Sequence, residues 1–166
     1  MAKELRASAQ RVQDILQSRG FPFQVVELAA STRTAKEAAA AIGCSVAQIV
    51  KSLIFRTSIT HKPLLVVASG ANRVDERVLA ALVGEPIEKP DAEFVRERTG
   101  FAVGGVAPVG HTESLETFID KDLLQFETIW AAAGTPFAVF QLTPSDLVTL
   151  TGGKIVSIHP FSPEIA

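Results

Sequence analysis

Cysteine is nearly absent from this sequence: Cys44 stands alone among 166 residues. A single thiol excludes an internal disulfide and a cysteine-based zinc cluster. Long apolar runs are missing too, and none reaches the ~18 residues that a membrane-spanning helix needs. The first twenty residues, MAKELRASAQRVQDILQSRG, carry charges throughout and lack the apolar core of a secretory signal. The expectation is a cytoplasmic protein with no membrane partner. Charge of one sign is not in excess either. A net charge of −2 argues against a broadly basic nucleic-acid coat protein. It leaves room for a local patch, because phosphate affinity depends on the few Lys and Arg that reach the backbone. No solenoid-type repeat, low-complexity segment, charge block or linker-like stretch interrupts the chain.

What is present suits one domain. Hydrophobic residues make up 47% and charged residues 20% of a chain long enough to bury a full core. Residues 1–166 are therefore read as a single domain. Leu5, Ala9, Val12 and Leu16 recur at helical spacing, with Gly20 as a stop. FQVVEL reads as a strand. TAKEAAAAIG opens with Thr34 and Glu37 spaced as a capping box and closes on Gly43. Ser45 and Gln48 repeat that spacing and start one more turn. SLIFRT and PLLVVAS are strands joined by a connection of hairpin length. VDERVLAALVG and DAEFVRERTG are helices ending at Gly84 and Gly100. ETFID, ETIWAAAG, FAVFQL and KIVSIH read as strands, and Thr143, Pro144 and Gly152 bracket a helix between the last two. Strands and helices do not alternate regularly, and several strands are close enough for hairpins. The pattern predicts an α+β domain with a mixed, mainly antiparallel curved sheet flanked by helices.

Most catalytic signatures are missing: there is no G-x-S-x-G elbow, no Walker loop and no dinucleotide fingerprint. His61, His111 and His159 show no ligand spacing. Cys44 follows a helix C-terminus, where the dipole disfavours a thiolate, and reads as a small buried filler. Two features remain. In IVKSLIF, Lys51 shares a strand face with Ile49, Leu53 and Phe55, while Val50, Ser52 and Ile54 take the other. A buried ammonium needs an anion or a lowered pKa. The alternative is a snorkelling side chain with its head in water. In GFAVGGVAPVGH, the pair Gly104-Gly105 lets backbone approach a ligand closely, and its N–H groups can cradle an anion or oxyanion. Such a stretch also serves as an ordinary turn-rich connection. Asp146, at the third position of its helix, either contacts substrate or offsets the helix dipole.

Three segments together resemble the YbaK and prolyl-tRNA synthetase editing-domain superfamily of aminoacyl-tRNA deacylases. STRTAKEAAAAIGCSVAQIVKSLIF is similar to the family's Thr-Ala helix and its lysine strand. TGFAVGGVAPVGH matches the G-x-x-x-P loop, running here from Gly104 to Pro108. FAVFQLTPSDLVTLTGGKIVSI is similar to the closing strand, helix and last strand. The resemblance implies hydrolysis of the ester that joins a wrong amino acid to the terminal ribose of a tRNA. It assigns the chemistry to Lys51, Gly104 and Gly105, and substrate contacts to Thr34, Ser52, Val106, Ala107, Pro108, His111 and Asp146. Neither a metal nor a cofactor is needed. Mischarged tRNA is the implied partner, with an aminoacyl-tRNA synthetase as a further one. Where the Cys-tRNA(Pro) deacylases usually read G-G-x-S-P, this loop has Ala107 before Pro108, and with His111 it looks closer to branches that clear Ser, Thr or Ala. Ile49, Leu53 and Val106 are expected to line the pocket, and Arg33, Lys36, Arg56, Lys62 and Arg73 to meet tRNA. Two other readings stay open: a non-catalytic module that binds tRNA ends or a synthetase, and an enzyme using Lys51 to form a Schiff base.

Overall fold

The computed structural model describes residues 5–159, so the expected domain extent of 1–166 reaches past both ends of that range. The chain runs α1 (Ala7–Ser18), β1 (Val25–Glu27), α2 (Ala35–Ile42), β2 (Ile49–Thr57), β3 (Pro63–Ser69), α3 (Glu76–Val83) and β4 (Ile87–Glu88). It continues through α4 (Ala92–Thr99), β5 (Glu116–Asp120), β6 (Ile129–Ala132), β7 (Ala138–Leu142), α5 (Pro144–Thr151) and β8 (Lys154–Val156). The helix punctuation acts as its chemistry dictates. Thr34, Asp91 and Thr143 each accept a hydrogen bond from the backbone N–H three residues on, and Gly43, Gly100 and Gly152 follow the helices they close.

Among the described residues the strands form one sheet in the order β1-β7-β6-β2-β3-β5-β8, with β4 also pairing β2. The ladders β1–β7, β6–β7, β2–β3 and β2–β4 are antiparallel. Those of β2–β6, β3–β5 and β5–β8 are parallel. The sheet is thus mixed and open, as an α+β fold requires. The hairpin β2–β3 follows the sequence expectation, and β6–β7 forms a second one. The crossovers that bring β5 alongside β3 and β8 alongside β5 were not foreseen.

Period-two alternation decides what each sheet face meets. Val50, Ile54, Leu65, Val67, Ile119 and Phe140 point into a core closed by α1, α4, α5 and loop 101–111. Phe55, Leu64, Val66, Ala68 and Phe118 point the other way, toward Leu79 of α3. Ile49 on that face meets Ala38 and Ala39 of α2. Helices therefore cover both faces of the sheet.

The edge of β2 that faces away from β3 is only partly covered. At its start Ile49 and Val50 pair with β6, and at its end Arg56 and Thr57 pair with β4. Extending the β4 register inward would set Pro90 opposite Ile54. Proline has no N–H to donate, so the ladder stops there. Gly134 (φ 94°) turns the chain from β6 into β7 at the other end. Between the two, a stretch of β2 has no neighbouring strand, and the cavity described below opens along it.

Candidate active site

Lys51 stands on the α2–α3 face of β2, on the same side as Ile49, Leu53 and Phe55. Its side chain is half-buried, and Nζ donates to the main-chain carbonyl of Asn72 at 2.6 Å. Burial pushes the ammonium below the ordinary lysine pKa; the carboxylate of Asp120 opposes that shift and Arg73 adds to it. The neutral amine is therefore more accessible to Lys51 than to a surface lysine.

Beneath Lys51 lies a polar network that sequence reading missed. Asp120 is fully buried, and its carboxylate accepts from Ser69 N at 3.0 Å, Asn72 Nδ2 at 2.8 Å and Asp122 N at 2.9 Å. Asn72 Nδ2 also reaches Asp122 Oδ2 at 2.8 Å, and that oxygen lies 3.1 Å from His159 Nε2. These bonds fix the turn after β3, which carries the Asn72 carbonyl and therefore the acceptor for Lys51. The sequence signal was an acid directly after the apolar pair Phe118-Ile119 at the end of ETFID, where a buried charge demands partners.

Lys51 lines a cavity of about 950 Å³. Gly104 and Val106 from loop 101–111 line it too, as do Thr34, Ser52, Ile49 and Leu53. Lys51 and Gly104 thus line one chamber. Gly104 sits at φ 93°, in a turn closed by a 3.1 Å bond from Gly105 N to Ala102 O. Arg33 lies directly over it, with Cγ 3.0 Å from where a Cβ would stand.

The remaining expected residues are placed otherwise. The N–H of Gly105 is taken up by Ala102, and a Cβ there would meet the backbone of Thr135 at 2.8 Å. Gly105 therefore permits close packing and offers no donor to the chamber. The N–H groups of Gly104 and Val106 have no partner among the described residues. Ala107 is fully buried in the core, and Pro108 and His111 border a separate depression beside Glu113 and Leu150. Asp146 lies outside the chamber lining; its Oδ2 accepts from Thr143 Oγ1 at 2.7 Å, closing the cap of α5.

His111 acts on the loop's shape. Its Nε2 lies 2.7 Å from the carbonyl of Ala107, which can only accept, so that nitrogen carries the proton. Arg11 clasps the same loop by donating to Thr99 O at 3.2 Å and to Gly110 O, with its guanidinium 4.7 Å from the Phe101 ring centre. Burial pushes the imidazole below its ordinary pKa; the Ala107 bond opposes this and the Arg11 charge adds to it. Above about pH 6.5 the ring is neutral in both folded and unfolded chains, and its contribution to stability is complete. Below that, the unfolded chain takes up a proton the folded one resists. Thermal midpoints should therefore fall between about pH 6.5 and 5 in the wild type, and fall less in His111→Gln, whose amide can still donate to Ala107.

Of the five cations expected to meet tRNA, Arg33 and Arg73 border the chamber, and both are exposed without an ion pair among the described residues. Arg56 is bound to Glu88 and Lys62 to Glu116. Lys36 is exposed but does not line the chamber. Lys89, which the sequence reading passed over, does.

Comparison with known proteins identifies the family. YwhH of Bacillus subtilis, an uncharacterised protein, is 32% identical over 131 residues, covering 79% of this chain and 83% of its own. EbsC of Enterococcus faecalis, named as a candidate Cys-tRNA(Pro)/Cys-tRNA(Cys) deacylase, is 24% identical over 95% of this chain and 98% of its own. A crystal structure described as a candidate trans-editing enzyme for prolyl-tRNA synthetase superposes with a TM-score of 0.89 at 49% identity, covering 95% of this chain and all of that one. Residues 29–150 match the model of the aminoacyl-tRNA editing domain, and the chain belongs to that family.

Proposed function

We propose that this protein is a trans-editing deacylase that hydrolyses the ester of a mischarged tRNA carrying a small amino acid, with Ser, Thr or Ala preferred over Cys. The observation that carries the reading is the shared chamber. A half-buried lysine lines one space together with Gly104 and Val106, whose N–H groups have no partner among the described residues, and the rim of that space is cationic. An aminoacyl ester is already activated, so its hydrolysis needs a positioned water and charge stabilisation more than a covalent nucleophile. Each well-aimed oxyanion donor contributes about 3–4 kcal/mol. In this reading the Gly104 and Val106 N–H groups take the developing oxyanion. Lys51, held by Asn72, orients the ribose–ester end, and water attacks the carbonyl carbon to release free amino acid and intact tRNA. Ile49, Leu53 and Val106 bound the space for the amino-acid side chain, and a wall excludes a larger group far better than it rejects a smaller one. The preference for Ser, Thr or Ala rests on the GGVAP form of the loop, while the relative EbsC carries a Cys-tRNA name.

The test is a panel of Ser-, Thr-, Ala- and Cys-tRNA incubated with the wild-type chain. Free amino acid should appear fastest from the first three. Cys-tRNA as the preferred substrate would overturn the preference and keep the activity. Salt-sensitive tRNA binding without hydrolysis of any ester would leave a binding module in place of an enzyme.

A further inference from the structure

The bare stretch of β2 has a chemistry of its own. Gly70 N donates to Ile49 O and Thr57 N to Lys62 O, so the odd-numbered residues of β2 direct their main-chain groups toward β3. Pro63 opposite Arg56 agrees with this, because proline lacks the N–H that a bonded pair would need. The even-numbered residues face the other side. Val50 there is covered by β6 and Arg56 by β4, while Ser52 and Ile54 meet no strand. Their N–H and C=O groups have no hydrogen-bond partner among the described residues. Beside them, Ser52 Oγ is buried and also lacks a partner. An unpartnered buried hydroxyl costs about 1–3 kcal/mol, and here it sits in the lining of the chamber.

We propose that this uncovered edge reads a purine: the main-chain groups of Ser52 and Ile54 bind the Watson–Crick edge of an adenine whose attached phosphates lie against Arg33, Arg73 and Lys89. The inference rests on the deacylase reading and names how the terminal adenosine is held. Three observations select the ligand. The edge offers donors and acceptors in alternation, as an adenine amino group and its neighbouring ring nitrogen require. The walls beside it, Ile54, Val95, Val106 and Val139, are apolar and suit the faces of a flat, uncharged ring. The rim is positive, with Glu76 as the acidic side chain of the lining, so the ligand's charge is negative and lies outward. A peptide strand is disfavoured because β6 and β4 close the stretch at both ends. Main-chain recognition also explains why no side chain in the sequence advertises a base-binding site.

Binding, not hydrolysis, is the readout. The trinucleotide CCA is compared with CC-inosine, which keeps the shape of the purine but exchanges its Watson–Crick donor and acceptor. The wild-type chain should bind CCA at least tenfold more tightly, and the amide resonances of Ser52 and Ile54 should shift with CCA. Equal affinity for the two, no binding of CCA, or discrimination that leaves both amides unmoved overturns the proposal. Hydrolysis of mischarged tRNA together with equal affinity would keep the proposed function and discard the adenine site. Discrimination without hydrolysis would keep the site and discard the enzyme.

Discussion

Lys51→Ala is expected to lower the rate of deacylation by two to three orders of magnitude, about 3–4 kcal/mol, while leaving the fold intact. Burial already works against the charged ammonium, so its removal costs the folded chain little. The main loss is at the substrate. Without Nζ, the donor held 2.6 Å from the Asn72 carbonyl is gone, and the neighbouring Arg73 is exposed at the rim of the chamber. Lys51→Arg separates charge from placement. A guanidinium keeps the positive charge but is planar and longer, and it cannot occupy the position 2.6 Å from the Asn72 carbonyl in the way an ammonium does. The arginine chain should therefore remain well below wild type. Single-turnover rates on a mischarged tRNA, with denaturation midpoints measured alongside, decide the matter. Wild-type rates in Lys51→Ala would remove the lysine from the chemistry. Recovery in Lys51→Arg would reduce its part to charge alone.

The second large effect falls on a residue that does not line the chamber. Asp120→Ala leaves three donors, Ser69 N, Asn72 Nδ2 and Asp122 N, without the acceptor that now serves them. Each buried unpaired group costs about 1–3 kcal/mol, and relaxation recovers part of it. A loss of about 3–5 kcal/mol is expected, seen as a fall of roughly 10 °C in the thermal midpoint. Asp120→Asn keeps one carbonyl acceptor and the side chain's volume, and should lose less than half as much. The functional consequence is separate from stability. With the turn after β3 released, the Asn72 carbonyl no longer fixes Nζ, so deacylation measured well below the midpoint should still fall in both variants. Full activity in folded Asp120→Asn would show that Lys51 is positioned by other contacts.

Much of this was legible in the chain because it depends on local periodicity. Period two along IVKSLIF assigned Lys51 to its face correctly, since alternation survives any tertiary context that keeps the strand. Thr34, Asp91 and Thr143 named the helix starts for an equally local reason: their side chains bond N–H groups three residues away. The missed network and the missed crossover depend on distant partners. Asn72 and Asp120 are 48 residues apart, and no pattern in either segment announces the other. The parallel pairing of β5 with β3 depends on a crossover through α3, β4 and α4, which hairpin signals do not report. Gly105 looked equivalent to Gly104 in GGVAP, yet turn closure onto Ala102 consumed its N–H. Asp146 likewise turned inward to its own cap, as an acid in the first turn of a helix often does.

The missing hydrogen on Pro90 bears on how such a chamber persists over generations. Another amino acid there could supply the ladder bond to Ile54 that proline withholds and so narrow the opening before Asp91 starts α4. Thermal robustness and usefulness then pull in opposite directions at one position. A lineage screened only for hardiness would drift toward a seamless sheet, whereas one imino acid holds the seam apart.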